Sequence, residues 1–344
     1  MKHFAHMLAL TLSIGTAHAV SAETYAPGIK DIAIQDGNSR ALDAILWYPA
    51  SIDAPLTRQH RNGVWVGVDA AENAAPVEGT YPLVVLSHGM YGNARNQNWL
   101  AVELVKKGYI VASLNHPGTS TWLRDADDAR QIWERPKDVS RAISYLLNDT
   151  TLKAKVDPDH IYMAGHSLGG MTGAQLAGAR YDPEQMDTLC SDNPSELICE
   201  ITSTWNIGAA QEDRAALSQD LSDQRIKAIA LLDLGATQTF SSESLGAIKT
   251  PLLVIGGPKD VKGSLDLDKE SRALVAQLSE GVARYLEPAT LAHFDMLGLC
   301  TEKAIAILED EAPGDGMVCA DGTEERIKDH AIVADAVISF FNEH

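Results

Sequence analysis

Five residues constrain this chain more than any others: Gly165-His166-Ser167-Leu168-Gly169. A serine with glycine two positions to either side fits a strand-to-helix turn so tight that a side chain at either glycine would crowd it. The pentapeptide alone is weak evidence, since chance supplies it in about one chain in ten of this length. Its surroundings carry the weight. Ile161-Tyr162-Met163-Ala164 precedes it as a short apolar strand, and the Gly- and Ala-rich stretch 168–180 follows as a closely packed helix. Such a turn raises the serine hydroxyl above the sheet, so Ser167 is the expected nucleophile.

The rest of the chain supplies the sheet that this turn needs. Stretches 29–34 and 41–48 alternate apolar and polar residues, as half-buried antiparallel strands do. Residues 49–79 read as loop, with a short strand at 64–68. Tyr81-Pro82-Leu83-Val84-Val85-Leu86-Ser87 is a continuous apolar run, suited to a parallel strand buried on both faces. Beyond it, predicted helices at 97–107, 135–147, 168–180, 264–278 and 325–341 alternate with strands at 109–114, 160–164, 226–232, 251–255 and 282–286. That rhythm predicts an α/β fold with a mostly parallel central sheet and helices on both faces. Residues 23–344 are expected to form one domain. The polar stretch 181–224 breaks the rhythm and reads as a cap-like insertion, either a lid or a surface excursion.

A serine hydroxyl needs a base, and in such a sheet the histidine comes last in chain order. Three histidines follow Ser167: His293, His330 and His344. His330 falls in the closing helix and His344 is terminal, which leaves His293, in a loop after the last strand. The acid that orients it lies between them in sequence. Asp260, after strand 251–255, is favoured, and Asp233, at the end of strand 226–232, is the alternative. The negative oxygen formed on attack needs fixed donors. The backbone amides of Met90, in Ser87-His88-Gly89-Met90-Tyr91-Gly92, and of Leu168 are assigned to it. Arg135 is expected to anchor an ion pair or to bring a guanidinium near the site. Trp99, Trp122, Trp133 and Trp205 are core residues by default, with Trp205 the best placed to line a pocket.

Composition narrows the partners. A formal net charge of -19 repels nucleic acid and anionic lipid surfaces, so neither is an expected partner. At the N-terminus, Lys2, a short apolar run and Ala17-His18-Ala19 or Val20-Ser21-Ala22 have the layout of a signal peptide over residues 1–22. The run is too short for a permanent membrane anchor. Four cysteines suit an oxidising compartment, periplasmic or secreted. They permit three pairings, of which Cys190–Cys199 with Cys300–Cys319 is the simplest. A zinc site is disfavoured because no C-x-x-C or H-x-x-x-H spacing accompanies them, and no metal is assigned.

Together these residues resemble the α/β-hydrolase superfamily. More narrowly, Ser87-His88-Gly89-Met90, Asn115-His116-Pro117-Gly118, Arg135-Pro136-Lys137-Asp138, Gly165-His166-Ser167-Leu168-Gly169-Gly170 and His293-Phe294-Asp295-Met296-Leu297 are similar to bacterial predicted dienelactone-hydrolase-like proteins and platelet-activating-factor acetylhydrolases. Dienelactone hydrolases carry a cysteine nucleophile where this chain has Ser167. The acetylhydrolases place their acid where Asp233 stands, and secreted polyester hydrolases and cutinases place it where Asp260 stands. The resemblance implies a serine esterase acting on small-molecule esters with short acyl groups, without a cofactor. An amidase, thioesterase or peptidase with the same triad, or a non-catalytic binding protein of the same fold, are the alternatives.

Overall fold

The computed structural model describes residues 25–344, so the signal-peptide reading of residues 1–22 lies outside the described residues. The strands are β1 (Ala26–Ala33), β2 (Asp43–Ala50), β3 (Thr57–Gln59), β4 (Val68–Glu72), β5 (Gly79–Ser87), β6 (Ile110–Asn115), β7 (Ala154–His166), β8 (Ile226–Leu232), β9 (Leu252–Ile255) and β10 (Ala283–Leu286). They form one sheet in the order β10-β9-β8-β7-β5-β6-β2-β1-β4-β3. The strands from β6 across to β10 run parallel. β2 joins β6 antiparallel, and β1 joins β2 antiparallel.

The parallel half is sealed on both faces because the central stretches of its inner strands are nearly unbroken apolar runs, residues 83–86 in β5, 161–164 in β7 and 228–232 in β8. In β5, Leu83 and Val85 enter one core and Val84 and Leu86 the other. In β7 the same division sends Met163 one way and Tyr162 and Ala164 the other. Side chains alternate across a strand, so an unbroken apolar run needs cover above and below. Helices Glu134–Asn148 and Leu168–Ala177 cover one face, while Asn98–Lys106 and Thr323–Asn342 cover the other.

Three differences from the sequence reading have physical causes. The 49–79 stretch holds β3 and β4 rather than a strand at 64–68, and the β3 residues Thr57, Arg58 and Gln59 carry no apolar signal at the sheet's edge. Strand β7 begins at Ala154, and its pairing with β5 shifts register between Tyr81 and Leu83, where Pro82 offers no amide to the ladder. The helix expected over 264–278 is reduced to Ser271–Gln277. Ahead of it, the Ser264 hydroxyl bonds the Lys259 and Val261 carbonyls and holds a loop.

The insertion folds as helices Pro183–Asp192, Leu197–Thr204 and Gln211–Leu217. Disulfides join Cys190 to Cys199, bridging its first two helices, and Cys300 to Cys319. No helix among the described residues is long and apolar enough to cross a membrane.

Candidate active site

The candidate groups gather where the parallel strands end, the edge at which sheets of this kind place their ligands. Ser167 follows β7, the Ser87–Gly92 loop follows β5, Asp233 follows β8 and His293 follows β10. Strand register sets their levels. Ser87 pairs with Gly165, and His166 pairs with Leu232. The Ser167 amide donates to Leu232 O at 3.1 Å, and the Asp233 amide donates to Ile255 O at 2.6 Å. The serine and Asp233 therefore leave neighbouring strands at the same height.

Ser167 has φ 56° and ψ −118°. A non-glycine residue in that region is strained by on the order of 1–3 kcal/mol and persists only where its surroundings enforce it. The enforcement is visible in the two flanking glycines. A Cβ on Gly165 would lie 2.1 Å from Gly169 O, and one on Gly169 would lie 2.0 Å from Ser87 O. Only glycine at both positions lets the helix press against β5. Tyr91, Asp233 and Ala236 also have positive φ, so four of the seven such non-glycine residues described fall in the loops of this site.

His293 is buried in a short turn, His293–Met296. The turn is held from two sides. His166 donates through Nε2 to His293 O at 2.9 Å, with the two rings 4.6 Å apart. From the closing helix, Arg326 donates through Nε to Asp295 Oδ1 at 2.9 Å, and Asp295 Oδ2 accepts the Ala292 amide at 2.9 Å. His330 donates through Nε2 to the Asp295 and Leu297 carbonyls. Burial pushes the His330 imidazole down to about 4, so it holds the turn as a neutral donor.

The carboxylate on His293 is Asp233, the alternative of the sequence reading, and not Asp260. His293 Nδ1 donates to Asp233 Oδ2 at 2.6 Å, and the Gly257 amide donates to Asp233 Oδ1 at 2.8 Å. Asp233 is fully buried. Asp260 stands exposed beyond the turn after β9. There the Lys259 amide bonds Leu291 O and the Lys259 ammonium pairs with Asp321 and Glu325. Both aspartates follow strands, but Asp233 comes directly after the last residue of β8, Leu232, whereas the loop Gly256-Gly257-Pro258-Lys259 separates Asp260 from the end of β9.

Gly89 brings the loop after β5 against Ser167: a Cβ there would lie 3.0 Å from Ser167 Cβ. Among the described residues, neither the Met90 nor the Leu168 amide donates to another protein group, so both N–H groups are free for a ligand. Tyr91, next in that loop, accepts a hydrogen bond through its hydroxyl from Trp205 Nε1 at 2.9 Å, which ties the insertion to it. Trp99, Trp133 and Trp205 are buried. Trp122 departs from the core expectation: it is 60% exposed, with Arg95 over its ring. Among the described residues, Arg135 makes no ion pair of the expected kind. Its partners are Thr172, Thr119, Ser87 and the His88 carbonyl.

A family model described as alpha/beta hydrolase fold matches residues 82–247, which include the turn at Ser167 and Asp233. The solved structure of a ferulic acid esterase from Streptomyces cinnamoneus superposes with a TM-score of 0.61, covering 96% of this chain and 92% of that one at 20% identity. The chain has the α/β-hydrolase fold. Among relatives by sequence, a cutinase of Thermobifida cellulosilytica is 28% identical over 105 residues, 30% of this chain and 37% of that one. A bis(hydroxyethyl) terephthalate hydrolase of Streptomyces coelicolor is 26% identical over 106 residues, 31% of each chain. The match thus spans about a third of the length of these curated superfamily relatives.

Proposed function

We propose that this chain is an exported carboxylic ester hydrolase that works through an acyl-enzyme on Ser167. The observation that carries the reading is the buried 2.6 Å bond from His293 Nδ1 to Asp233, next to a serine in a strained turn. With Nδ1 donating to Asp233, the other ring nitrogen, Nε2, is the acceptor left for a proton. His293 takes the Ser167 proton as Oγ forms its bond to the ester carbonyl carbon. Asp233 stabilises the imidazolium, and the Met90 and Leu168 amides receive the negative oxygen. The C–O bond to the alcohol then breaks, and the alcohol leaves with the proton from His293. Water, deprotonated by the same imidazole, releases the acid.

The relatives support the ester class: cutinases, a bis(hydroxyethyl) terephthalate hydrolase and a ferulic acid esterase. The two disulfides support a working life in an oxidising compartment. The insertion at 181–224, tied by Trp205 to Tyr91 beside the site, is proposed to cap it.

The test is hydrolysis of p-nitrophenyl acetate, butyrate and octanoate by the mature chain beside Ser167→Ala and His293→Ala. The expected result is turnover of the shorter esters, lost by at least about 10³-fold in both variants. Turnover that survives Ser167→Ala would overturn the assignment.

A further inference from the structure

Arg135 sits at the start of helix Glu134–Asn148, only 1% exposed. Its hydrogen bonds go to oxygens of neutral groups: Nε to Thr172 Oγ1 at 3.1 Å, Nη1 to Thr119 Oγ1 at 2.5 Å, Nη2 to Ser87 Oγ at 3.2 Å, and Nη2 to the His88 carbonyl. Asp138 balances its charge from beyond contact and is itself paired with Arg40 and Arg141. A cation buried without a touching carboxylate carries a large desolvation cost. Its bonds run to the loop that carries Met90 and to the first turn of the helix that begins at Leu168.

One branch reaches the amide of Met90. Arg135 holds the His88 carbonyl, and His88 Nδ1 donates to Gly89 O at 2.7 Å. That oxygen and the Met90 N–H belong to one planar peptide and point in opposite directions. Fixing the oxygen from behind aims the N–H forward. The His88 proton is confined to Nδ1, because Nε2 accepts the backbone amide of His116 at 3.2 Å.

His116 is fixed in turn by a buried relay. The Ser87 hydroxyl accepts from Arg135 and faces His116 Nε2 at 2.9 Å, while His116 Nδ1 donates to Asp138 Oδ2 at 3.0 Å. Burial first, and the Arg135 charge second, push both imidazoles well below the ordinary histidine range, so each ring keeps a single proton.

The other branch reaches the helix that carries Leu168. Arg135 donates to Thr172 Oγ1, and Thr172 Oγ1 donates to Leu168 O at 3.1 Å, holding the first turn of helix Leu168–Ala177. That turn also begins from a locked peptide, since Ser167 O accepts the amides of Gly170, Met171 and Gly235.

We propose that Arg135 is a positioning residue, a buried cationic clasp that joins the Met90 loop to the first turn of the nucleophile helix and fixes the spacing of the two oxyanion donors. The proposal rests on the esterase reading above. It assigns the Ser87–His116–Asp138 chain to the same scaffold rather than to a second nucleophile.

The test compares Arg135→Met, Arg135→Lys and Thr172→Val with the wild type on p-nitrophenyl butyrate, with a boronic acid as transition-state mimic and thermal melts as folding control. Misplacing oxyanion donors is expected to lower kcat by about 100-fold in Arg135→Met, with KM within about threefold of wild type. Arg135→Lys keeps the charge without the fork, and near-isosteric Thr172→Val cuts only the Nε branch. Each is expected to lose about 10-fold in kcat. Boronate affinity is expected to fall in step with kcat, as it must if transition-state binding is what was lost.

Folded Arg135→Lys and Thr172→Val chains with wild-type kcat would overturn the proposal. So would a loss confined to KM with boronate affinity unchanged. If Arg135→Met does not fold, the other two variants decide. A wild-type chain inactive on every ester would remove the esterase reading, and this proposal with it, whereas an active wild type beside unaffected variants would remove the proposal alone.

Discussion

Replacing Asp233 by asparagine sets two hydrogen-bond donors against a single acceptor oxygen. The carboxylate accepts the Gly257 amide at 2.8 Å through Oδ1 and His293 Nδ1–H at 2.6 Å through Oδ2. The Gly257 amide is backbone and can only donate, so the asparagine oxygen stays with it and the new NH2 group faces His293 Nδ1. An imidazole that accepts at Nδ1 carries its proton on Nε2, the nitrogen proposed to receive the Ser167 proton. Holding a triad histidine in the wrong tautomer is known to cost about 10⁴-fold in kcat. The same loss is expected here, about 5.5 kcal/mol of transition-state stabilisation. The fold is expected to persist, because volume and packing are conserved. Asp260→Asn, on an exposed loop, is expected to stay within about twofold of wild type. The assay is steady-state hydrolysis of p-nitrophenyl butyrate, with melts to establish folding. A folded Asp233→Asn chain within about tenfold of wild type, or a collapse of activity in Asp260→Asn, would refute the reasoning.

Other outcomes follow from the same structure. Burial pushes the Glu270 carboxyl, whose Oε2 accepts the Thr237 amide at 2.7 Å, up to about 7 from 4.5. The folded state thus binds that proton more tightly, and the stability it contributes is present below pH 4.5 and lost as pH rises through about 7. Glu270→Gln is expected to melt with wild type at pH 4.5 and above it at pH 8, by up to about 3 kcal/mol; an equal difference at both pH values would contradict this. Gly169→Ala places a Cβ 2.0 Å from Ser87 O and is expected to abolish ester turnover. Denaturant titration should find it destabilised by about 3 kcal/mol or more. Reduction of the two disulfides, which close loops of 9 and 19 residues in sequence separation, is expected to lower unfolding free energy by about 3 kcal/mol each on the chain-entropy account, read by melts with and without reductant.

Most of the fold was legible because its strongest signals are local. The run Leu83-Val84-Val85-Leu86, β-branched at its centre, suits a strand covered on both faces, and glycines two residues either side of Ser167 imply close approach before any contact is known. The pairings Cys190–Cys199 and Cys300–Cys319 followed from proximity in sequence. The reading faltered where geometry is non-local. Strand β3, built from Thr57, Arg58 and Gln59, exists because β4 lies beside it. The choice between Asp233 and Asp260 depends on how β7, β8 and β9 align, which no local pattern encodes. The supports of the His293 turn were out of reach for the same reason: Arg326 and His330 lie 31 and 35 residues from Asp295 along the chain. For Arg135, an arginine at a helix start argued for a carboxylate partner, and the structure surrounds it with hydroxyls and a carbonyl instead.

The most direct measurement is to label the mature chain with a fluorophosphonate and locate the adduct by mass spectrometry of its peptides. One adduct on Ser167 is expected, absent from Ser167→Ala and formed far more slowly in His293→Ala and Asp233→Asn. No adduct at all would contradict the nucleophile assignment. So would an adduct on Ser87, whose hydroxyl also faces a histidine, His116, at 2.9 Å.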